Sequence, residues 1–563
     1  MTMSHETTVR PPIVWSVAGS DSGAGAGLQA DLRAFEAMDV HGCTVVAAIT
    51  AQNSVGVQLI APVDATVFEA QLAALADDMP PAAIKVGMVG SVENLRVLVR
   101  WIDRLRQINP NLAVVVDPVL GATTGASFAQ ADLIQAYRDE LLPRADVITP
   151  NRAEAALLLK QAPFNNIFNS DNPFDPSFPR RQESTSTTMD SRLRGNDDIW
   201  AIEQAARSLQ ALGCKAVIIT GGDAQGLNSE DYCLSPQAQG WLRLPRVATK
   251  HNHGTGCVFA STVAAAMARG FVSMEALVIA KMATTHALRH AYAAGQGAGS
   301  VRPRSDFARH IENLPTFSLP RDSTQISSVR FAPLSDADLG LYAVVDSAAW
   351  VQRVLASGVK TVQLRIKFHE LVDIRREVQL SVQYATAAKA QLFINDHWQL
   401  AIEQGAYGVH LGQEDLHVAD LQAIAQAGLR LGLSTHCYWE VCRAWALQPS
   451  YIACGPMYAT QSKDMPWQPQ GTHNVAYWSA LLPLPLVAIG GINVERAAQA
   501  RQAGAAGVAV ISAITAAASP EAAIMALNRA IDVSIDAAKT RIIAPRLLNS
   551  TLYLMESPCF VPS

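Results

Sequence analysis

The sequence predicts two α/β domains in one chain, an open sheet with helices on both faces followed by a closed (β/α)8 barrel. Both halves contain short, continuous apolar runs separated by helix-length segments, which is typical of buried parallel strands. Eight of these runs lie between residues 341 and 511, the number expected for a barrel. A polar segment punctuated by proline separates the halves, and we place the linker at residues 316–337.

Composition limits the class of protein. A chain of 563 residues with 49% hydrophobic residues can form sizeable cores, and its net charge of −5 gives no basic field, so we expect no nucleic-acid partner. The N-terminus lacks the apolar region of a signal peptide, and no uncharged apolar run of about 18 residues is present. We therefore expect no membrane association and a cytoplasmic location. The eight cysteines are scattered without a CxxC pair, which argues against a zinc site and a disulfide framework.

Six apolar runs in the first half predict the strands of the open sheet, at residues 13–18, 43–49, 84–89, 112–116, 147–148 and 216–219. Ligands of such sheets bind beyond the carboxyl ends of the strands. The residues that follow these runs are therefore candidates for one shared cleft: Gln52, Met88, Asp117, Asn151, Glu154, Gly221 and Gly222.

Two glycine-rich turns are candidates for binding phosphate. The first, GSDSGAGAG at residues 19–27, matches neither the P-loop nor the dinucleotide-binding spacing and is weak evidence alone. The second, HGTGC, enters an alanine-rich helix, and Gly254 and Gly256 allow successive backbone N–H groups to converge into an anion hole. Cys257 falls in the first turn of that helix, where the helix dipole favours a thiolate that can accept a proton. The alternative is a glycine N-cap followed by a small buried cysteine.

Seven motifs follow one another in the first half: AGSDSGAGAGLQADL, AAITAQNSVGV, IKVGMVGS, VVVDPV, ITPNRAEA, VIITGG and HGTGC. In this order they resemble the hydroxymethylpyrimidine and phosphomethylpyrimidine kinases of thiamine biosynthesis, which have a ribokinase-like fold. The resemblance covers roughly residues 12–315. It implies ATP-dependent phosphorylation of hydroxymethylpyrimidine and of its phosphate, and a homodimer of this half would fit the family. Sugar kinases of the same fold carry Asp at the position of Cys257.

The resemblance also implies roles for individual residues of the kinase half. Cys257 would be the catalytic base, with the anion hole formed by Gly254, Thr255, Gly256 and Cys257. The pyrimidine would be surrounded by Asp31, Gln52, Met88 and Val116. Mg²⁺ and ATP would be organised, directly or through water, by Asp117, Asn151 and Glu154. The structural alternatives are a strand-terminal turn for Asp117 and an exposed carboxylate in a helix's first turn for Glu154.

A pyridoxal kinase is the alternative for this half, because it shares the fold and sometimes the GTGC-type turn. The QADL and TAQN motifs at residues 29–32 and 50–53 favour the pyrimidine kinase. Residues 163–199 have no helical or strand period and are rich in Asn, Asp, Ser, Pro and Arg, so we expect an inserted surface loop that is largely disordered. A binding role for this arginine-containing loop is the alternative.

The barrel half places polar residues at the carboxyl ends of its strands, where barrel enzymes have their active sites. The apolar runs are 341–345, 361–364, 391–394, 407–411, 429–433, 450–454, 485–489 and 507–511. Two carboxylates, Asp396 and Asp415, follow the third and fourth runs, and several cations follow others. This combination indicates a site for a diphosphate and a divalent metal.

The motifs VQLRIK, LFINDHWQLA, GVHLGQEDL, YIACGPMYATQSK and VAIGGI resemble thiamine phosphate synthase over residues 338–530. The resemblance implies condensation of the pyrimidine diphosphate with thiazole phosphate, and Mg²⁺ binding by Asp396 and Asp415. The implied substrate contacts are Gln363, Arg365, Lys367, Asn395, Ser434, Thr460, Ser462, Lys463, Gly491, Ile511 and Ser512. Ser462 stands where Thr is usual, which keeps a hydroxyl, and His397 where Arg is common, which weakens anion binding.

These resemblances define a kinase domain at residues 1–315, a synthase domain at 338–538 and an unassigned tail at 539–563. Two alternatives stay open for the chain. The barrel family includes a regulatory protein without synthase activity, from which Asp396, Asp415, Lys367 and Lys463 distinguish this sequence. A metabolite-binding scaffold with an inactive kinase half is the non-enzymatic alternative.

Overall fold

The computed structural model describes residues 10–120, 130–160, 191–222, 224, 226–319, 329–367, 371–460 and 467–538. The chain divides into two compact units, the first ending at Phe307 and the second beginning at Ala308. No helix of the described residues is long and apolar enough to cross a bilayer. Ser462, Lys463, the tail from 539 and residues 163–190 of the predicted insert lie outside the described ranges.

The strands of the first unit form a mixed sheet in the order β9-β8-β7-β6-β5-β4-β1-β2-β3. They are β1 Ile13–Asp21, β2 His41–Gln52, β3 Val57–Pro62, β4 Ala83–Val86, β5 Ala113–Val116, β6 Val147–Ile148, β7 Ala216–Ile219, β8 Asn228–Leu234 and β9 Gln239–Pro245. The six predicted strands are confirmed and pair in parallel. The prediction missed β3, β8 and β9, which pair antiparallel. β3 is largely exposed and β8 begins with four polar residues, so neither gives a continuous apolar signal.

Helices connect these strands. They are α1 Gly27–Ala37, α2 Ala65–Asp78, α3 Val92–Ile108, α4 Ala131–Ala136, α5 Arg152–Leu159, α6 Ser191–Gln210, α7 Thr255–Ala268 and α8 Ser273–Arg289. A π-helical turn at Tyr137–Leu141 and a 3-10 turn at Leu142–Arg144 extend α4. Phe68 of α2 and Trp101 of α3 belong to one buried cluster, whereas Ala30 of α1 and Val258 of α7 belong to another. Two clusters on different helices fit a sheet that is covered on both faces.

The helix α6 corrects part of the predicted insert. A loop was expected through residue 199, but α6 already begins at Ser191. The later turns of α6 bury Ile202, Ala206 and Leu209 against the core. Extending an existing helix by one residue costs far less free energy than nucleating a new helix. Once the later turns of α6 are packed, the helix can therefore extend towards its N-terminus through the polar segment that begins at Ser191.

The second unit contains a closed barrel of eight parallel strands. They are β11 Gly340–Val345, β12 Thr361–Leu364, β13 Gln391–Asn395, β14 Gly408–Leu411, β15 Arg430–Thr435, β16 Tyr451–Cys454, β17 Leu486–Ile489 and β18 Gly507–Val510, after a short strand β10 at Thr316–Ser318. The predicted (β/α)8 barrel is therefore confirmed, with each strand within two residues of its apolar run. The helices are α9 Ala348–Ala356, α10 Leu371–Ala388, α11 Trp398–Glu403, α12 Leu421–Gln426, α13 Tyr438–Leu447, α14 Gly471–Leu481, α15 Val494–Gln502, α16 Ser512–Thr515 and α17 Pro520–Ala538.

Part of the segment predicted as a linker, residues 332–335, packs against the barrel. Leu334 packs against the buried cluster inside the barrel. The backbone N–H of Ser335 donates to the Tyr407 hydroxyl at 2.7 Å, and the Ser450 hydroxyl donates to the Ala332 carbonyl at 2.7 Å. Residues 332–335 therefore belong to the barrel, because Leu334 supplies an apolar side chain to its core.

Candidate active sites

In the first unit, the loop after β1 and the turn before α7 pack directly together. Gly254 caps α7 with a φ of 86°, and a Cβ atom there would lie 2.0 Å from the carbonyl oxygen of Gly25. Asp21 Oδ2 accepts hydrogen bonds from the N–H groups of Gly25 and Ala26 at 2.9 and 2.8 Å and lies 3.2 Å from His253 Nε2. The two glycine-rich turns of the sequence therefore form one surface, and glycine is required where they touch.

The predicted anion hole lies at the start of α7. The described residues provide no hydrogen-bond acceptor for the backbone N–H groups of Gly256 and Cys257. A Cβ atom on Gly256 would lie 3.9 Å from Asp117 Oδ1, so the carboxylate after β5 faces the same helix end. Gly254 is also the N-cap of α7 and makes no side-chain hydrogen bond, which agrees with the alternative of a glycine N-cap. The geometry accommodates both a helix cap and an anion site.

Lys85 of β4, which sequence reasoning did not single out, lies at the centre of a buried charge network. Its Nζ donates to both carboxylate oxygens of Asp31 at 3.0 Å and lies 3.7 Å from Asp117 Oδ2. Ser16 and Ser261 also donate to Asp31, at 2.5 and 2.7 Å. Asp31 was predicted to contact the pyrimidine, but it is fully buried and its carboxylate is held by donors from β1, β4 and α7.

The network determines the protonation of its members. Although burial opposes the charged form, Asp31, Cys257 and Asp117 raise the pKa of Lys85 above its ordinary value, so it is a permanent cation. Burial raises the pKa of Asp117 to about 6, against the lowering effect of Lys85. Burial likewise raises the pKa of Cys257 to about 12; Lys85 opposes the rise, and Asp31 and Asp117 add to it. This shift favours the thiol, and its direction is opposite to the effect expected from the helix dipole.

Gln52 and Met88 lie close to the glycine loop, as predicted for a shared cleft. Gln52 Nε2 lies 3.1 Å from His253 Nε2. A Cβ atom on Gly19 would lie 2.4 Å from Met88 Cε, so the methionine packs over that backbone. Val116 differs, because its side chain is fully buried in the core and is not exposed to a cleft.

Asn151 and Glu154 form a capping box at the start of α5. The Asn151 side chain accepts from the Glu154 N–H at 2.9 Å, and the Glu154 side chain accepts from the Asn151 N–H at 2.9 Å. Glu154 therefore has a structural role in the first turn of a helix, as in the alternative named for it from the sequence, and that role is the capping of α5. Any role in organising a metal would be added to this structural one.

In the second unit, the carboxyl ends of the barrel strands enclose a cavity of about 150 Å³. Eight predicted residues line it: Gln363, Arg365, Asn395, Ser434, Thr460, Gly491, Ile511 and Ser512. Gln363 Nε2 donates to Asn395 Oδ1 at 3.0 Å, and both side chains are buried. Lys367 is exposed shortly after the end of β12. The structure therefore brings most of the described predicted residues to one cavity.

Asp396 and Asp415 form an acidic pair at the barrel rim. Asp396 follows β13 directly with a φ of 63°, and Asp415 Oδ2 accepts from the Gly412 N–H at 3.0 Å. Loss of surrounding water raises the pKa of Asp396 to about 7, and the neighbouring Asp415 adds to the rise, whereas Arg365 opposes it. Two carboxylates that repel each other in this way fit a hard divalent cation such as Mg²⁺.

Two histidines of the cavity wall were missed by sequence reasoning. His410 Nε2 lies 2.9 Å from Ser434 Oγ, and burial lowers the pKa of His410 to about 3. His436 Nδ1 lies 2.8 Å from Glu440 Oε2, and its ring stacks on Trp467 with centroids 5.1 Å apart. A polar residue inside an apolar strand, as in the GVHL run, is the signal that could have identified His410.

An α/β unit and a closed barrel in one chain, each with charged side chains near the carboxyl ends of its strands, indicate an enzyme with two catalytic units. The phosphomethylpyrimidine kinase family model matches residues 21–170 and 189–302, and the thiamine monophosphate synthase family model matches residues 341–514. The thiamine biosynthetic bifunctional enzyme TH1 of Arabidopsis thaliana is 31% identical over 503 residues, which cover 87% of each chain. This chain belongs to the family of bifunctional thiamine biosynthetic enzymes.

Other relatives resemble one half each. The thiamine-phosphate synthase of Yersinia pestis (strain Pestoides F) is 52% identical over 165 residues, covering 29% of this chain and 77% of the relative. The structure of a pyridoxal kinase from Staphylococcus aureus with ADP is 28% identical and covers 52% of this chain and 93% of that one, with a TM-score of 0.43.

Both sequence resemblances are confirmed by the family models and the bifunctional relatives. The first unit is a phosphomethylpyrimidine kinase built on an open α/β sheet, and the second is a thiamine-phosphate synthase built on a TIM barrel. The chain is a bifunctional transferase of thiamine biosynthesis.

Proposed function

We propose that the first unit phosphorylates hydroxymethylpyrimidine and then its phosphate, with ATP and Mg²⁺, and that the second unit joins the resulting diphosphate to thiazole phosphate. The observation that carries the barrel proposal is the acidic pair, Asp396 and Asp415, next to Arg365, which lines the barrel cavity. The kinase proposal rests on Asp117 facing the N-terminus of α7. A homodimer and a cytoplasmic location stay predictions.

In the kinase, Cys257 is proposed to take the proton of the substrate hydroxyl while the N–H groups at the start of α7 bind the transferred phosphoryl group. Because burial raises the pKa of Cys257 to about 12, the base is the small thiolate fraction, whose own proton has been released to bulk water before the substrate hydroxyl is deprotonated. Lys85 stabilises the thiolate, since it is the cation that lowers the pKa of Cys257. Mg²⁺ would neutralise phosphate charge, and Asp117, Asn151 and Glu154 are the proposed residues that organise it.

In the barrel, the bond between the pyrimidine methylene and the diphosphate oxygen breaks, and its electron pair leaves with diphosphate. The thiazole nitrogen then forms a bond with the methylene carbon. Charge grows on the departing diphosphate, where Arg365 and Lys367 would stabilise it more in the transition state than in the ground state. Mg²⁺ held by Asp396 and Asp415 would add Lewis-acid stabilisation.

The test is incubation of the purified full chain with hydroxymethylpyrimidine, ATP, Mg²⁺ and thiazole phosphate, with products followed by mass. We expect the pyrimidine phosphate, then the diphosphate, then thiamine phosphate. Absence of the diphosphate would contradict the kinase assignment. Absence of thiamine phosphate when the diphosphate is supplied would contradict the synthase assignment. Pyridoxal as a competing substrate tests the specificity of the first unit.

A further inference from the structure

A chain of hydrogen bonds runs through the barrel interior to the cavity. The Tyr342 hydroxyl lies 2.7 Å from the Tyr451 hydroxyl, which lies 2.8 Å from His410 Nδ1. His410 Nε2 lies 2.9 Å from Ser434 Oγ, and both His410 and Ser434 line the cavity. We call these four side chains the relay.

Core packing alone does not explain the relay. Tyr342 and Tyr451 are 2% and 0% exposed and belong to an apolar cluster with Phe393 and Val487. Phenylalanine would fill nearly the same volume without burying a hydroxyl, which costs free energy unless it is paired. Gly432 of β15 also makes room for the phenol, because a Cβ atom there would lie 2.4 Å from the Tyr451 hydroxyl oxygen. The barrel therefore accommodates the phenol of Tyr451 at a position where the phenyl ring of phenylalanine would fill the core equally well.

The number of available hydrogens sets the direction of the relay. A phenol donates one hydrogen, and a neutral imidazole donates from one nitrogen and accepts at the other. Among the described residues, Tyr451 is the one hydrogen-bond partner of the Tyr342 hydroxyl, so Tyr342 uses its hydrogen by donating to Tyr451. Tyr451 then donates to Nδ1 of His410, which carries its hydrogen on Nε2. In the reverse direction the Tyr342 hydrogen would be buried without an acceptor, at a cost of about 1–3 kcal/mol.

We propose that the relay holds His410 as the Nε2–H tautomer, so that Ser434 accepts from His410 and donates its own hydroxyl hydrogen into the cavity. His410 and Tyr451 are thus positioning residues that turn a serine hydroxyl into a fixed donor. A fixed donor selects a substrate that presents an acceptor at that point.

The acceptor is assigned to a ring nitrogen of the aminopyrimidine, which rests on the proposed function of the barrel. Ser434 lies within β15, whereas the cations Arg365 and Lys367 follow the end of β12. The cations are suited to the diphosphate, and the neutral donor to a neutral ring nitrogen. The relay would therefore be a specificity device for the pyrimidine.

The first experiment measures the tautomer without any substrate, so it is independent of the proposed function. The full chain is labelled with ¹⁵N-histidine, and the His410 signal is assigned as the one lost in His410→Gln. We expect a protonated Nε2 and an unprotonated Nδ1. In Tyr451→Phe the single tautomer should give way to a mixture. A protonated Nδ1 in the unchanged chain overturns the proposal.

The second experiment measures steady-state kinetics of the synthase step. Tyr451→Phe should raise the KM for the pyrimidine diphosphate by about 3- to 10-fold, the value of one lost hydrogen bond, with kcat changed by less than about twofold. Inhibition by inorganic diphosphate, which has no ring, should stay unchanged. Tyr477→Phe is the control, because this buried tyrosine of α14 lies outside the relay. Equal weakening of the pyrimidine diphosphate and of inorganic diphosphate, or no change in either, would contradict the assignment of the acceptor.

Discussion

Lys85 and Asp31 form an ion pair in which Nζ lies 3.0 Å from both carboxylate oxygens and neither side chain is exposed. Breaking a buried pair by removing one partner leaves an uncompensated charge. We expect Lys85→Met to lower the free energy of unfolding of the first unit by about 3–5 kcal/mol. Urea denaturation of the variant and of the unchanged chain, followed by circular dichroism, measures this effect independently of kinase activity.

The matched control for this prediction is Arg353→Met. Arg353 pairs with Glu521 in the barrel unit, but the two side chains are 46% and 50% exposed. We expect that control to cost less than about 1 kcal/mol. A similar cost for both variants would mean that the buried network contributes little to stability.

The second prediction concerns Cys257 and pH. The thiolate is the form that accepts a proton, and the pKa of Cys257 is raised to about 12 by burial. Its thiolate fraction therefore rises about tenfold per pH unit below that value, so kinase kcat/KM should rise with pH between about 6 and 9. Cys257→Ala should lower turnover by about 10²–10⁴-fold and remove this rise. Cys233→Ala, which removes a buried thiol from β8, should leave the pH profile unchanged.

The third prediction concerns the acidic pair at the barrel rim. Asp396→Ala or Asp415→Ala should abolish Mg²⁺-dependent thiamine phosphate formation, while the kinase continues and the pyrimidine diphosphate accumulates. Products followed by mass test this directly. Asp373→Ala, at an exposed position of α10, is the control and should behave as the unchanged chain. Unchanged thiamine phosphate formation in both rim variants would rule out this metal site.

The same pair predicts a pH dependence of metal binding. The pKa of Asp396 is raised to about 7, and protons compete with Mg²⁺ for its carboxylate. Mg²⁺ affinity should therefore be nearly constant above about pH 7 and fall by up to about tenfold per pH unit below it. Calorimetric titration at about pH 6 and pH 8 measures the difference. Asp396→Asn should bind Mg²⁺ more weakly and lose the dependence.

The fifth prediction concerns the predicted insert. The kinase family model matches residues 21–170 and 189–302, and passes over 171–188. We expect replacement of residues 171–188 by a short Gly/Ser link to keep both activities, since lengthening a loop costs only about 0.6 kcal/mol per doubling. The two enzyme assays on the shortened chain measure this. An inactive or insoluble product would show that the segment contributes to the fold or the site.

Sequence patterns predicted the two folds because buried parallel strands are continuous apolar runs. The same rule could not find β3, whose residues are half-buried or exposed, and it could not set the start of α6, because packing of Ile202 and Leu209 decides it. Strand ends also predicted the acidic pair at the barrel rim, and the family resemblance predicted eight residues that line the barrel cavity. These two carboxylates are recognisable because Asp396 comes directly after β13 and Asp415 lies four residues beyond the end of β14.

The charge networks could not be predicted in the same way. The pKa of Cys257 depends on Asp31, Lys85 and Asp117, which come from three separate elements and meet only in the folded chain. Lys85 nevertheless gave a signal, because a lysine between Ile84 and Val86 in a buried strand requires a buried carboxylate. The partner could not be named from the sequence, since Asp31 lies 54 residues away.

The contact between the two glycine turns has a consequence for the newly made protein. Asp21 and His253 are separated by 232 residues, so a ribosome adding about 5–20 residues per second needs roughly 10–50 s to supply the second turn after the first. During that interval the loop after β1 lacks its contact with His253, and a nascent chain that stops before Gly254 cannot form the N-terminus of α7. Since β11 begins only at Gly340, the kinase site is complete in sequence before any barrel strand is synthesised.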